Sequence, residues 1–188
     1  HYMLHSNDVT VKLGQDRQVT IHENNLVEDW EITMVDTGEQ TLKGARIHKI
    51  AKYIDDDFMV TYGDGMSDID INSLVSFHKK HGKIATVTGV SPRSSYGQIT
   101  AEDGKVLDFI EKPKIDEGVI NGGFFIFQKK FFDYLNPNDD CDFEIGPLEQ
   151  LTKEGQLMVY HHKGDWICMD TYRDSVFLNN LWEKGQAF

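Results

Sequence analysis

An apolar run that ends abruptly at a glycine turn constrains the fold of this chain more than any other feature. Residues 57–62 combine apolar, β-branched and aromatic side chains, and residues 63–65 read Gly-Asp-Gly. Such a run is typical of a strand buried on both faces. Residues 70–82 then show helical spacing, from an aspartate suited to an N-cap to a glycine suited to a helix end, and a second apolar run covers 84–90. Strand, helix and strand in this order predict a βαβ unit with parallel strands.

The remaining patterns add short strands and helices to this unit. Asp-Gly at 103–104 lies between alternating runs at 98–100 and 106–110, which predicts a β-hairpin. Further strands are expected over 9–13, 18–22, 31–35, 121–127, 156–161 and 166–169, and further helices over 44–54, 129–134, 147–154 and 171–184. We therefore expect one α/β domain over residues 1–188, with a mixed sheet and a hairpin insertion.

Charge and hydropathy exclude several functional classes. The 188 residues include 31 acidic and 19 basic side chains, for a formal net charge of −12. Counterion release on a phosphate backbone favours basic proteins, so we expect no nucleic-acid partner. Apolar stretches are far shorter than the roughly 20 residues of a membrane helix, and the first residues do not resemble a signal peptide. We expect a cytoplasmic protein without a membrane partner.

The two cysteines and eight histidines show no spacing typical of a disulfide framework or a zinc site. Reduced thiols are expected at Cys141 and Cys168. Carboxylates are better candidates for a metal. Asp64 follows the buried strand, and Asp170 follows the apolar run that precedes the last helix. If their strands are neighbours, both could bind one Mg²⁺. The alternative is that either aspartate belongs only to a turn or a helix cap.

Two further segments could contact a ligand. At 111–114, Glu-Lys-Pro-Lys leaves the hairpin with a stiffening proline, so its lysines are candidate phosphate contacts or merely solvated side chains. At 121–124, Asn-Gly-Gly-Phe opens a strand with paired glycines, which indicates either a bulge or the close approach of a ligand. For each segment, the sequence alone leaves both interpretations open.

Taken in order, six short motifs resemble the sugar-1-phosphate nucleotidylyltransferases. They are Val-Asp-Thr-Gly at 35–38, Tyr-Gly-Asp-Gly at 62–65, Tyr-Gly at 96–97, Glu-Lys-Pro-Lys at 111–114, Asn-Gly-Gly-Phe at 121–124 and Met-Asp-Thr at 169–171. The motif at 35–38 and Leu-Trp-Glu-Lys-Gly at 181–185 are most similar to the cytidylyl branch. The resemblance implies a Rossmann-like, mostly parallel mixed sheet flanked by helices, as in nucleotide-diphospho-sugar transferases.

The resemblance also implies an activity and a set of site residues. Members of this branch make CDP-glucose and pyrophosphate from CTP and glucose 1-phosphate with Mg²⁺, for deoxysugars of surface lipopolysaccharide, and are usually homo-oligomers. By position, Asp64 and Asp170 correspond to the catalytic residues that bind the metal. Lys112 corresponds to a catalytic residue that contacts the sugar phosphate. The nucleotide would contact Thr41, Arg46 and Gly63, and the sugar phosphate would contact Gly97, Glu111, Lys112 and Asn121.

One family feature has no counterpart in residues 1–188. The family's glycine-rich triphosphate loop and the lysine after it do not occur there, so we expect the chain to correspond to the carboxyl-terminal part of the enzyme, after the first two βα units. Two alternatives stay open: a related transferase that uses UTP, dTTP or GTP, and a non-catalytic domain that binds sugar nucleotides.

Overall fold

The computed structural model describes residues 8–12, 18–22, 30–91, 98–111 and 118–186. The chain divides into two compact units, residues 1–36 and 37–188. The first unit contains an antiparallel pair, β1 (Asp8–Lys12) and β2 (Gln18–His22). This pair confirms the two strands expected from alternation near the start of the chain.

The strand expected at residues 31–35 is wrong. These residues lie outside every helix and strand, and Ile32 and Met34 are 59% and 88% exposed. Alternating apolar residues favour a strand only where a neighbouring strand supplies hydrogen bonds and a buried face.

The second unit is built around a four-stranded sheet in the order β3 (Phe58–Thr61), β8 (Ile120–Phe127), β5 (Ala85–Val90), β9 (Leu157–His162). Strand β8 is antiparallel to both β3 and β5, whereas β5 and β9 are parallel. Strands β3, β5 and β9 therefore share one direction. Helix α2 (Ile71–His81) connects β3 to β5, so the predicted βαβ unit is confirmed, with β8 inserted between its strands.

The second unit also contains two separate strand pairs and several helices. β4 (Gly65–Ser67) pairs antiparallel with β10 (Trp166–Cys168), and β6 (Gln98–Glu102) pairs antiparallel with β7 (Lys105–Ile110). The helices are α1 (Lys43–Lys49), α3 (Pro147–Lys153) and α4 (Tyr172–Glu183), and 3-10 turns cover Ala51–Tyr53 and Lys129–Tyr134. In the described ranges, no helix combines the length and hydropathy required to cross a membrane.

Local sequence signals explain the ends of several elements. In the hairpin, Asp103 and Gly104 have φ of 47° and 80°, as a two-residue turn between twisted strands requires. At the start of α2, the Asp70 carboxylate accepts a hydrogen bond from Ser73 N at 3.1 Å, and Gly82 ends that helix with φ of 64°. The hairpin and the Asp70 cap are therefore confirmed.

The core lies on both faces of β8. Phe125 and Phe127 are fully buried in a cluster that includes Phe131, whose ring stacks on Phe127 at 3.9 Å between centroids. Ile126 points into a second buried cluster with Leu74 of α2. Successive residues of a strand point to opposite faces, so an apolar run without alternation requires cover on both sides.

Gly44 sets how closely α1 can approach the segment before α3. A Cβ at this position would lie 2.8 Å from the carbonyl oxygen of Cys141 and 2.8 Å from Phe143 N. Gly44→Ala is therefore expected to lower the free energy of unfolding by about 1–3 kcal/mol in a urea titration, the usual cost of overpacking. Gly63→Ala is the control, since no heavy atom lies within 4 Å of a Cβ there. Equal stability of both variants would contradict this packing.

Acid should destabilise the unit through His78, whose side chain is 2% exposed. Its Nδ1 lies 2.7 Å from Thr86 Oγ1, and Nε2 lies 3.9 Å from Asp57 Oδ2. Burial, and then the neighbouring His81, lower the pKa of His78 below its ordinary 6.5 despite Asp57. The unfolded chain therefore takes up a proton more readily, and stability should fall as the pH drops below about 6.5.

Chemical denaturation at a series of pH values from 7.5 to 5 measures this dependence. His78→Gln, which cannot take up a proton, should show a smaller loss of unfolding free energy over that interval than the wild type. An identical slope in the two proteins would show that His78 does not contribute.

Candidate active site

The structure brings together the two aspartates that follow separate strands. β4 and β10 pair so that Gly65 lies opposite Cys168. Asp64 directly precedes β4, Asp170 lies two residues beyond the end of β10, and Met169 N donates a hydrogen bond to the Asp64 carbonyl at 2.8 Å. One ligand atom from each of Asp64, Cys168 and Asp170 can be chosen so that all lie within 4.8 Å of one another. A three-residue strand pair thus places two carboxylates at one point.

Cys168, expected from the sequence only as a reduced thiol, lies close to both carboxylates. Its Sγ lies 3.2 Å from Asp170 Oδ1 and donates a hydrogen bond to it. Burial, then the bond to Asp170 and the negative charge of Asp64, raise the pKa of the Cys168 thiol to about 11. The thiol is therefore protonated near neutral pH.

The donor set of this cluster fits a hard divalent cation. The side chains of Asp64 and Asp170 are exposed, and among the described residues the Asp64 carboxylate has no ion-pair partner. The cap of α4 is Thr171, whose hydroxyl accepts from Asp174 N in a capping box, so Asp170 is not the cap. Two exposed carboxylates suit an oxygen-preferring ion such as Mg²⁺, whereas sulfur is a poor ligand for such an ion.

A second polar group, here called the Glu144 cluster, consists of Lys43, Tyr62, Asn121 and Glu144. Glu144 Oε1 accepts hydrogen bonds from the Tyr62 hydroxyl at 2.5 Å and from Asn121 Nδ2 at 2.7 Å. Lys43 Nζ forms an ion pair with Glu144 Oε2. Because Tyr62 is two residues before Asp64, this cluster is joined through the chain to the aspartate pair. Sequence reasoning identified only Asn121 as a candidate site residue here, since the other partners come from distant segments.

Electrostatics keep Glu144 ionised and Tyr62 protonated. Burial disfavours the charged form of Glu144, but hydrogen bonds from Lys43, Tyr62 and Asn121 outweigh burial and lower the pKa of its carboxyl. Burial, and then the hydrogen bond to Glu144, raise the pKa of Tyr62. The carboxylate is therefore an acceptor and the phenol a donor at neutral pH.

The paired glycines at the start of β8 are explained by close packing. A Cβ at Gly122 would lie 2.7 Å from Val90 Cγ1, and Gly123 has φ of 77°, with the Tyr62 ring 2.8 Å from the point where a Cβ would lie. The register between β5 and β8 also shifts near Gly89. Gly122 O accepts a hydrogen bond from Trp166 Nε1 at 2.8 Å, which attaches β10 to this strand start. Of the two interpretations left open, these contacts favour the bulge.

Thr41 lies in the turn that precedes α1, and Arg46 lies in α1 itself. The Thr41 hydroxyl donates to the carbonyl oxygen of Thr37 at 2.7 Å, and Thr41 is buried, with 5% of its surface exposed. Arg46 donates to Thr37 Oγ1 at 2.7 Å and to the Glu39 carbonyl at 3.0 Å. Both side chains therefore stabilise residues 37–41. Their expected contact with the nucleotide stays a prediction.

The other predicted site residues differ in what the structure describes. Gly63 is exposed, with open space where a Cβ would lie. Glu111 is exposed directly after β7. Gly97 and Lys112 lie outside the described residues, and their expected contacts with the sugar phosphate stay predictions.

The chain belongs to the nucleotidyl transferase family, whose sequence model matches residues 5–182. It is 43% identical over its whole length to the glucose-1-phosphate cytidylyltransferase of Salmonella typhi, 72% of which it covers. It is 44% identical to the probable glucose-1-phosphate cytidylyltransferase of Bacillus subtilis, over 85% of this chain and 63% of that protein. These comparisons confirm the expected family.

A solved structure confirms the fold. HddC from Yersinia pseudotuberculosis superposes with a TM-score of 0.57 and 24% identity, over 77% of this chain and 64% of that one. The chain thus spans less than two thirds of this structure and of the Bacillus relative, and 72% of the Salmonella enzyme. Members of the family generally use a divalent metal, which agrees with the donor set of Asp64 and Asp170.

Proposed function

We propose that the protein transfers a cytidylyl group from CTP to glucose 1-phosphate, with release of pyrophosphate and formation of CDP-glucose. The observation that carries this proposal is the pairing of Asp64 and Asp170 at the ends of two strands, in a chain 43% identical throughout to a protein named for that activity. The two exposed carboxylates give an acidic chain the means to bind a polyphosphate through a cation.

The reaction is an in-line displacement at the α-phosphorus of CTP. A sugar-phosphate oxygen attacks, the bond to the β-phosphate breaks, and pyrophosphate leaves. The nucleophile is already an anion, so no general base is required. The residues must instead align the two substrates and neutralise their charge, which are the main contributions in such transfers.

Asp64 and Asp170 are proposed to bind Mg²⁺ through their carboxylates. The ion would supply positive charge to the triphosphate and the leaving pyrophosphate. Exposed Gly63 leaves room for the nucleotide beside Asp64, and Thr41 and Arg46 are proposed near the base and ribose.

On the sugar side, Lys112 is proposed to neutralise the phosphate of glucose 1-phosphate. Glu111, Asn121 and Gly97 would contact the sugar. Asn121 is the described member with a defined orientation, because its side chain is hydrogen bonded at both ends. We further propose a cytoplasmic homo-oligomer whose product supplies CDP-linked deoxysugars for lipopolysaccharide O-antigen.

Pyrophosphate release by the native full-length protein tests the proposed function. With Mg²⁺ and glucose 1-phosphate, CTP should give a kcat/KM at least about tenfold above UTP, dTTP and GTP, which corresponds to about 1.4 kcal/mol of discrimination. A preference for another triphosphate would contradict the CTP assignment and indicate a related transferase activity. No release with any triphosphate, together with tight binding of CDP-glucose, would indicate a non-catalytic sugar-nucleotide-binding protein.

A further inference from the structure

The carboxylate of Glu144 is the point at which three segments of the second unit meet. Tyr62 at the end of β3 and Asn121 in β8 both donate to Oε1, and Lys43 at the start of α1 pairs with Oε2. The backbone N–H of Glu144 donates to Asp142 Oδ1 at 3.1 Å, which fixes the local turn. Charge-assisted hydrogen bonds of this kind are shorter and stronger than neutral ones.

The bond from Glu144 determines how Asn121 is oriented. Asn121 Nδ2 donates to Glu144 Oε1 at 2.7 Å, and Asn121 Oδ1 accepts from Gly123 N at 2.9 Å. Both ends of the amide are hydrogen bonded. A rotation that exchanged Oδ1 and Nδ2 would place acceptor against acceptor and donor against donor, and both bonds would be lost. The residue is exposed, so one N–H and one acceptor lone pair remain available to a ligand.

The same carboxylate holds the strand end that leads to the aspartate pair. The Tyr62 hydroxyl donates to Glu144, and Tyr62 N donates to the Gly123 carbonyl at 3.2 Å. Tyr62 is followed by Gly63 and Asp64. Glu144 therefore connects the segment that presents Asn121 with the segment that presents Asp64.

We propose that Glu144 is a positioning residue for the acceptor substrate: it orients the Asn121 amide toward the sugar hydroxyls and fixes it relative to Asp64. The proposal rests on the proposed function, in which Asn121 contacts the sugar of glucose 1-phosphate. Glu144 acts through Asn121 and does not itself contact the sugar. The ion pair with Lys43 keeps the carboxylate charged while the carboxylate accepts hydrogen bonds from Tyr62 and Asn121.

Glu144→Gln in the native full-length protein tests this role. The substituted amide keeps the shape but removes the charge that holds Asn121, while Tyr62 keeps its backbone hydrogen bond to the Gly123 carbonyl. We expect the KM for glucose 1-phosphate to rise about tenfold, comparable to the loss of one hydrogen bond, with kcat and the KM for CTP changed less than about twofold. Asp142→Asn is the matched control. Asp142 also lies near Lys43, at 3.7 Å, but is not bonded to Asn121. Asparagine keeps the Oδ1 acceptor for Glu144 N, so the variant should keep wild-type constants.

A double variant separates positioning from direct contact. If Glu144 acts through Asn121, Glu144→Gln should add little to the KM of an Asn121→Ala protein. Should the two effects multiply instead, Glu144 would contribute independently of Asn121 and the inference would be wrong. Glu144→Asp keeps the charge but shortens the reach to Asn121, so it should also raise the KM for glucose 1-phosphate. This variant serves as the test if Glu144→Gln fails to fold.

The failure of this inference differs from a failure of the proposed function. A wild-type protein that transfers no nucleotidyl group contradicts the proposed function and the inference that depends on it. An active wild type whose glucose 1-phosphate KM is unchanged in a folded Glu144→Gln or Glu144→Asp variant contradicts the inference alone.

Discussion

Asp64→Asn and Asp170→Asn are each expected to lower kcat at least about a hundredfold, the scale observed when one preorganised electrostatic contact is removed from an active site. Each substitution replaces a charged oxygen with a neutral amide where two carboxylates converge. Both side chains are exposed and neither caps a helix, so the melting temperature should change little.

Steady-state rates over a Mg²⁺ titration measure the loss of kcat. Calorimetric titration with Mg²⁺ measures the loss of metal binding. Asp70→Asn is the matched control because Asp70 caps α2 and asparagine caps equally well, so that variant should keep both rate and stability. If either active-site variant keeps a near-normal rate at limiting Mg²⁺, that aspartate belongs only to its turn and the metal assignment is wrong.

Lys112→Ala should lower kcat/KM for glucose 1-phosphate roughly ten- to a hundredfold, since a charge-assisted hydrogen bond to phosphate contributes about 1.5–3 kcal/mol. Binding of CTP alone should hardly change, because the proposed contact is with the sugar phosphate. Separate titrations of CTP and of glucose 1-phosphate distinguish the two substrates.

Lys114→Ala is the control for this effect. Lys114 lies beyond the proline that follows Lys112, and no contact with either substrate is proposed for it. Weaker CTP binding in Lys112→Ala, with unchanged glucose 1-phosphate kinetics, would reverse the proposed orientation of the pocket. The assignments of Glu111, Asn121 and Gly97 to the sugar would then fail as well.

Elements set by local signals were predicted well from the sequence. Helix α2 has an aspartate cap, periodic apolar residues and a glycine end, and the hairpin turn has Asp-Gly with two positive φ values. Such features depend on a few consecutive residues. The strand expected at 31–35 has no partner strand among the described residues. The three-residue strand β4 was missed because it is stabilised mainly by pairing with distant β10.

The candidate site could be predicted only in part. Asp64 and Asp170 could be found because each follows an apolar strand, but their proximity depends on the pairing of β4 with β10. Glu144 had no local signal. Its partners Tyr62 and Asn121 precede it by 82 and 23 residues, and the chain fold alone brings them together.

Isotope tracing of CTP tests the central claim most directly. The native full-length protein is incubated with Mg²⁺, glucose 1-phosphate and CTP labelled with ³²P at either the α- or the γ-phosphate. Attack at the α-phosphorus predicts that the α-label enters a sugar nucleotide and the γ-label leaves as pyrophosphate. Transfer of the γ-label to the sugar phosphate, or retention of both labels in CTP, would contradict nucleotidyl transfer to the sugar phosphate.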